Sequence, residues 1–299
     1  MNEFIITMVN GVATGVPLFL IASGLTLIYG VMGVLNFAHG GFFMVGAYLV
    51  VLILAHDAVG ISSFLLAVGA AAAAVAVIGL VSERGIFSRL YGAGHITNLL
   101  ASYALLLIIN GAVAFSFGPS SRTVESPAVL SGAVRVGDLA QPRYNLFLIA
   151  IGIVVATGLW LLLERSSMGC RIRAVAHDRT MARALGIRAS RVSVGVFVLG
   201  SALAGLAGGL GAPVVSVGPG LDAAFVLQSF AVVIIGGLGS ISGALVAAIA
   251  LGVVDNVLVN YAPGLSGYGV YLTVGVVLLV RPNGLLGRQS ESGSEMARL

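Results

Sequence analysis

Six stretches of the chain, 4–28, 34–55, 62–81, 96–117, 144–163 and 192–217, contain no Asp, Glu, Lys or Arg. Each reaches the length of about 20 residues that an α-helix needs to cross the hydrocarbon core of a bilayer. Lipid offers no partner to a peptide N–H or C=O, so each stretch must be helical to satisfy its own backbone. The rest of the chain agrees: 59% of the 299 residues are hydrophobic and 9% are charged, against about 25% charged in a soluble domain. A surface built from such residues has lipid as its natural solvent. The first stretch follows no basic region, exceeds the length of a secretory signal and precedes no small-residue cleavage site, so it reads as a retained span.

Two later stretches are less regular. Residues 223–259 are apolar but interrupted by Gly236, Gly237, Gly239, Ser240, Ser242 and Gly243. One helix over this range would be ~56 Å long, far more than the ~30 Å core, whereas two full spans would be slightly short. A Gly-rich broken pair fits best. The last span, 264–280, is near the lower limit of length. The expected fold is therefore all-α: a polytopic membrane helix bundle of about eight spans, seven to nine, in a single transmembrane domain over 1–299. Small residues, Ala70 to Ala74 and Gly205, Gly208, Gly209 and Gly211, let such helices approach closely. There is also a faint internal repeat. Ile28-Tyr29-Gly30-Val31-Met32-Gly33 resembles Ile234-Ile235-Gly236-Gly237-Leu238-Gly239. Either it is a chance match of small and apolar residues, or it marks paired broken spans with a transport site between the two halves.

Arginine sets the orientation. All 15 basic residues are arginine, and seven of them (Arg165, Arg171, Arg173, Arg179, Arg183, Arg188 and Arg191) lie in the loop 164–191 against only Glu164 and Asp178. The positive-inside rule places this loop in the cytoplasm. Counting back puts 118–143 outside, Arg84 and Arg89 inside and the N-terminus outside. The polar tail 288–299, with Arg281 just before it, goes inside. Ends on opposite sides demand an odd number of crossings, so seven or nine satisfy parity and eight does not. The outer loop is punctuated by Pro119, Pro127, Gly132 and Pro142, with a short hairpin expected around Val134 to Asp138.

The same composition excludes several chemistries. Without lysine there is no Gly-Lys-Ser/Thr phosphate loop and no Schiff base, so any ATP that drives this protein is bound by another chain. The single cysteine, Cys170, forbids an internal disulfide or a cysteine metal cluster. His39 has no second ligand within helical reach, so no metal is expected. No nucleophile–base set is evident, and the chain does not read as an enzyme. The basic residues sit between apolar spans, which speaks for membrane and against nucleic acid. Asp255, beside Asn256, is the clearest intramembrane charge and should face the bundle interior or lie near the surface. Such scarcity argues against a proton relay and for an outside energy source.

Two segments are candidates for function. In Met168 to Ile187, Asp178 suits an N-cap and Gly186 a left-handed C-terminal stop, with a helix of about two turns between them. Met181, Ala182 and Leu185 give it an apolar edge beside Arg179 and Arg183, with Arg171 and Arg173 preceding it. It is either a coupling helix for a cytoplasmic motor subunit or a solvated basic loop that fixes topology. The second segment, Gly30 to Gly41, places Asn36 and His39 at the junction of two spans among glycines. These residues either line a path for a polar solute or simply cap helix ends. The candidate path residues are Tyr29, Gly30, Asn36, His39 and Gly40, with Gly236, Gly237, Gly239 and Ser240 in the second half.

Taken in order, these motifs resemble the LivH-type permeases of branched-chain amino acid ABC importers. The matching stretches are Gly24 to Gly30, Asn36-Phe37-Ala38-His39-Gly40, Gly46-Ala47-Tyr48, Met168-Gly169 through Arg173-Ala174-Val175, Asp178 to Ala182, Gly186-Ile187, Gly236 to Ser240, Gly243-Ala244 and Arg281 to Gly287. The resemblance covers nearly the whole chain. It implies a permease of the bacterial plasma (inner) membrane that works by alternating access and pairs with a second, LivM-like permease as a heterodimer. It also implies two cytoplasmic ABC ATPase subunits, which bind the ATP so that this chain holds no cofactor, and a periplasmic or lipid-tethered solute-binding protein. It makes Asp178 to Gly186 the ATPase-contacting loop and the substrate a branched-chain amino acid or a related small amino acid or amide. The rival reading is a self-sufficient channel or secondary carrier for a small polar solute. The chain departs from the family's pattern at Val16-Pro17-Leu18, at Asp255 and at Tyr91 to Gly94, and the family's usual eight spans conflict with the parity argument.

Overall fold

The computed structural model describes residues 2–54, 60–91, 93–136, 139–282 and 284–286. The tail 288–299, the hairpin tip Gly137-Asp138 and Gly92 of the first cytoplasmic loop lie outside the described residues. The chain opens with α1 (Asn2–Met32), α2 (Ala38–Ile53) and α3 (Ile61–Ser82). A π-helical turn, Glu83–Phe87, carries α3 into the short α4 (Ser88–Leu90), and α5 (His95–Phe117) follows. The hairpin β1 (Ala133–Val136) and β2 (Leu139–Pro142) pairs antiparallel, with Ala133 opposite Pro142 and Val136 opposite Leu139. Then come α6 (Arg143–Trp160) with a second π-helical turn at Leu161–Arg165, α7 (Ser167–His177), α8 (Arg179–Ala184) and α9 (Ala189–Gly211). The last part is α10 (Leu221–Gly236), α11 (Ile241–Tyr261) and α12 (Gly269–Val280).

Six segments among the described residues are long and apolar enough to cross a membrane: α1, α3 with α4, α5, α6 with its π turn, α9 and α11. The helices α2 and α10 have 16 residues each and α12 has 12, about 24 and 18 Å at ~1.5 Å per residue. Contacts fix their direction. Gly33 lies beside His95, Gly30 faces Gly239 and Gly284 packs on Gly237, so these turns share one end of the bundle. At the other end Asn145 bonds Asn10 at 2.9 Å, and Arg122 pairs with Val217 as an isolated antiparallel bridge. The chain thus runs between the two ends nine times among the described residues, through α1, α2, α3, α5, α6, α9, α10, α11 and α12. Nine is odd, and it satisfies the sidedness that the arginines demand.

The core is a seam of helices that touch backbone to backbone. A Cβ on Gly24 would stand 2.6 Å from the Gly200 carbonyl oxygen and 3.0 Å from His39 Nε2. Gly46 sits against Gly205, and Gly208 against the Phe43 carbonyl. On the other side of α1, Gly15 meets Ala248 and Gly11 meets Val253 of α11. Lipid is as apolar as leucine, so close packing rather than burial of apolar area holds such helices together. This is why glycine, and not a larger apolar residue, stands at the crossings.

The structure departs from several expected boundaries: the span expected to run to residue 217 ends at Gly211, and the last one, expected from 264, begins at Gly269. The second span was expected from residue 34, but residues 33–37 are not helical and α2 begins at Ala38. The basic loop 164–191 contains, besides the expected α8, an amphipathic helix α7 that buries Gly169, Ile172 and Val175. Its Ser166 cap accepts a hydrogen bond from the Gly169 N–H at 3.0 Å, a signal present in the sequence.

Candidate functional site

A helix of six residues has no stability of its own in water, and α8 is tied at both ends. Asp178 Oδ1 accepts the Thr180 and Met181 N–H groups at 2.8 and 2.9 Å. The bond from Met181, then that from Thr180, holds the Asp178 carboxyl below the usual aspartate range. At the far end Gly186 takes φ +81°. The Gly186 N–H donates to the Arg183 carbonyl at 2.9 Å and the Ile187 N–H to the Ala182 carbonyl at 3.0 Å, the paired bonds of a Schellman stop. Ala182 is buried, while Met181 and Leu185 are 58% and 74% exposed. Arg183 is exposed beside them, and Arg171 and Arg173 are exposed on α7. Thus α8 rests on the bundle by its small residue and turns an apolar, basic edge outward. Arg179 differs from the rest. It is half-buried, and burial first, then the neighbouring Arg183, pulls its pKa down, while the Glu83 charge pulls it back up.

Beside this platform a cavity of about 1020 Å³ opens between α1, α6, α7 and α11. Glu164, Arg173 and His177 stand at its cytoplasmic mouth, where Arg173 pairs with Glu164 at 3.5 Å and donates to the Leu163 carbonyl. Its far wall reaches Phe19, ~20 Å along α1 from Met32 at 1.5 Å per residue. Tyr29, Gly30, Gly239 and Ser240 line it, so the structure brings four of the candidate path residues, from both glycine-rich segments, to one wall. Thr26, Thr157 and Ser242 add hydroxyls, and Leu27, Val31, Ile241 and Leu245 add apolar surface. Thr26 Oγ1 is buried behind this wall without a hydrogen-bond partner among the described residues.

The other five candidates lie outside this cavity. Asn36 caps α2: its Oδ1 accepts the Ala38 N–H at 3.0 Å. His39 is fully buried and donates from Nε2 to the Ile21 carbonyl at 3.0 Å. Gly40 lets α2 approach the Asp222 backbone and Val226. Gly236 and Gly237 are buried at the end of α10, against Gly243 and Gly284.

Two further residues were not singled out from the sequence. Asp222 and Glu83 are 2% and 0% exposed, although both fall between expected spans. Asp222 accepts a hydrogen bond from Asn110 at 2.9 Å, and Glu83 accepts one from Tyr91. Asp255 is instead only half-buried, in α11 near Gly269. A carboxylate read as a loop residue gives no local sign that a distant helix will cover it. Among the described residues no three His, Cys, Asp or Glu side chains gather as a metal site would require.

Comparison with known sequences gives the family. The sequence profile described as "Branched-chain amino acid transport system / permease component" matches residues 7–280. The high-affinity branched-chain amino acid transport system permease protein BraD of Pseudomonas aeruginosa is 31% identical over 94% of this chain and 95% of its own length. LivH of Escherichia coli K12, described in the same terms, is 31% identical over 95% of this chain and 96% of its own. This multi-pass chain therefore belongs to the family of branched-chain amino acid transport system permease components.

Proposed function

We propose that this chain is one of two permeases of an ABC importer in the bacterial plasma membrane, moving a branched-chain amino acid or a related small amino acid by alternating access. The observation that carries the reading is the cavity, which runs from Phe19 in the middle of α1 to a mouth at Glu164, Arg173 and His177 on the basic loop. Its apolar walls suit a branched side chain, its hydroxyls suit polar groups, and Glu164 with Arg173 offers both charges at the exit to a zwitterion. The chain is a conduit and no enzyme. ATP is bound and split by two separate cytoplasmic ATPase subunits, whose closure displaces the exposed edge of α8 formed by Met181, Arg183 and Leu185. A few kcal/mol of differential contact suffices to shift a two-state equilibrium of this kind. A second, LivM-like permease completes the path, and a periplasmic or tethered binding protein delivers substrate at the outer end. Asn36 and His39 serve the path indirectly by fixing the start of α2.

The test is reconstitution. The assembled importer takes up radiolabelled leucine with ATP, and this chain alone in liposomes does not. Gly186→Val, which forces a β-branched residue to φ +81°, and Asp178→Lys both uncouple ATP hydrolysis from uptake. Unaltered uptake in both variants overturns the coupling role, and uphill uptake by the chain alone overturns the whole reading.

A further inference from the structure

Glu83 is a carboxylate with no exposure at the end of an apolar helix. It opens the π-helical turn that closes α3, and π turns are rare irregularities that gather at functional places. Its Oε1 accepts a hydrogen bond from the Tyr91 hydroxyl, while Oε2 has no partner among the described residues. The ring of Tyr91 carries a second charge: the Arg179 guanidinium carbon lies 4.6 Å from the ring centroid. A guanidinium nitrogen of Arg179 is 3.4 Å from Ser193 Oγ on α9. One aromatic ring therefore joins the first residue of α8 to the end of α3, with α9 alongside. Among the described residues no other α8 side chain hydrogen-bonds a membrane helix. A buried carboxylate and a half-buried guanidinium are costly to desolvate and are weak evidence for stability as such. Retained here, they suit a contact that must be felt when it changes.

We propose that Glu83, Tyr91 and Arg179 form the transmission contact of the importer, with Tyr91 the positioning residue that holds Arg179 over the end of α3. This rests on α8 being the surface met by the ATPase. When the ATPase displaces α8, Arg179 moves with it. The stacked ring and its hydrogen bond then draw Glu83 and the π turn, so that α3 and the α9 packed along it follow. An aliphatic contact alone would let α8 slide. A charge held under a ring does not, because leaving Glu83 buried without its partners is costlier than moving the helix end.

The assembled importer in proteoliposomes decides the matter, with ATP hydrolysis and leucine uptake read on the same sample. Tyr91→Phe keeps the ring and the stacking and removes only the hydroxyl. Glu83→Gln removes the charge. A Met181→Cys label in a Cys170→Ser background reports, by cross-linking to the ATPase, whether α8 still docks. The expected result is uptake per ATP lowered about fivefold in Tyr91→Phe, the equivalent of one hydrogen bond, with co-purification and cross-linking unchanged, and an equal or larger loss in Glu83→Gln. If assembly, hydrolysis and uptake fall together at a constant ratio, the contact is only structural and the proposal fails. It also fails if Tyr91→Phe keeps the wild-type ratio, which stays readable should Glu83→Gln not assemble. Absence of a cross-link in the otherwise unaltered protein overturns instead the assignment of α8 as the docking surface, and this inference with it.

Discussion

Twice in this protein the chain leaves a helix near the cytoplasmic end, turns on glycine and re-enters as a new helix: at 33–37 between α1 and α2, and at 237–240 between α10 and α11. The two breaks face each other: a Cβ on Gly30 would stand 3.9 Å from the Gly239 Cα. Both use left-handed glycine, Gly33 at φ +70° in the first and Gly237 and Gly239 at φ +96° and +83° in the second. Yet their orphan backbone groups are satisfied differently. At the first break side chains do it. Asn36 takes the Ala38 N–H, and Ser102 of α5 takes the Phe37 N–H at 3.1 Å. At the second, Ser240 caps α11 at Gly243 N, and backbone closes α10. The N–H groups of Leu285 and Leu286 donate to the carbonyls of Ile235 and Gly236 at 2.7 and 3.1 Å. Non-helical backbone survives inside a membrane only where protein satisfies it. The first break is thus wedged between helices, while the second depends on a segment beyond α12 that lies over it and borders the cavity. The second break is the one held by a segment distant in sequence.

Four variants test that contrast, and they differ in size. The largest effect is expected from Gly284→Ala. Gly284 has φ +77°, and its Cβ would stand 2.7 Å from Gly237 N and Ile234 O. Strain and overlap together destabilise by about 3 kcal/mol, read as a lower Tm of the purified complex and as new cysteine reactivity of probes at 284–286. Asn36→Ala follows, at about 1–2 kcal/mol, and should lower Tm without opening the second break to label. Ser102→Ala removes the acceptor for one buried N–H and costs about 1 kcal/mol. Equal labelling at both breaks in all three variants would erase the distinction. Smallest is Glu164→Gln. The Arg173–Glu164 pair is 47% and 55% exposed, so its loss changes stability by at most about 1 kcal/mol. A change in uptake rate without a change in Tm would assign the pair to the exit.

The aqueous surface supplies the control. Asp178 performs the same capping task as Asn36, but exposed and ionised. Its carboxyl pKa is depressed in the folded protein by the Met181 and Thr180 N–H groups. Its contribution is therefore fully present above the ordinary aspartate range and is lost as pH falls through the folded value. The protection factors of the Thr180 and Met181 amides, exchange rates divided out by the intrinsic rate at each pH, should stay constant from neutral pH down to that range and then fall, whereas Asp178→Asn should hold its cap without this step.

Much of this was legible along the chain because its causes are local. Apolar length located the long spans, and the bundle of helices is the one expected. The glycine-rich interruption of 223–259 is where α10 gives way to α11. Asp178 and Gly186 stand at the ends of a helix that a few residues specify by themselves. The tertiary structure alone decided which polar residues are covered and by what. Asn110 and Asp222 are 112 positions apart. Tyr91 and Arg179 come from separate cytoplasmic segments, and residues 284–286 close a helix that ended nearly fifty positions earlier, at Gly236. A cap or a span answers to its neighbours in sequence. A buried charge or an orphan carbonyl answers to whatever the packed helices bring within hydrogen-bond reach, and no periodicity records that.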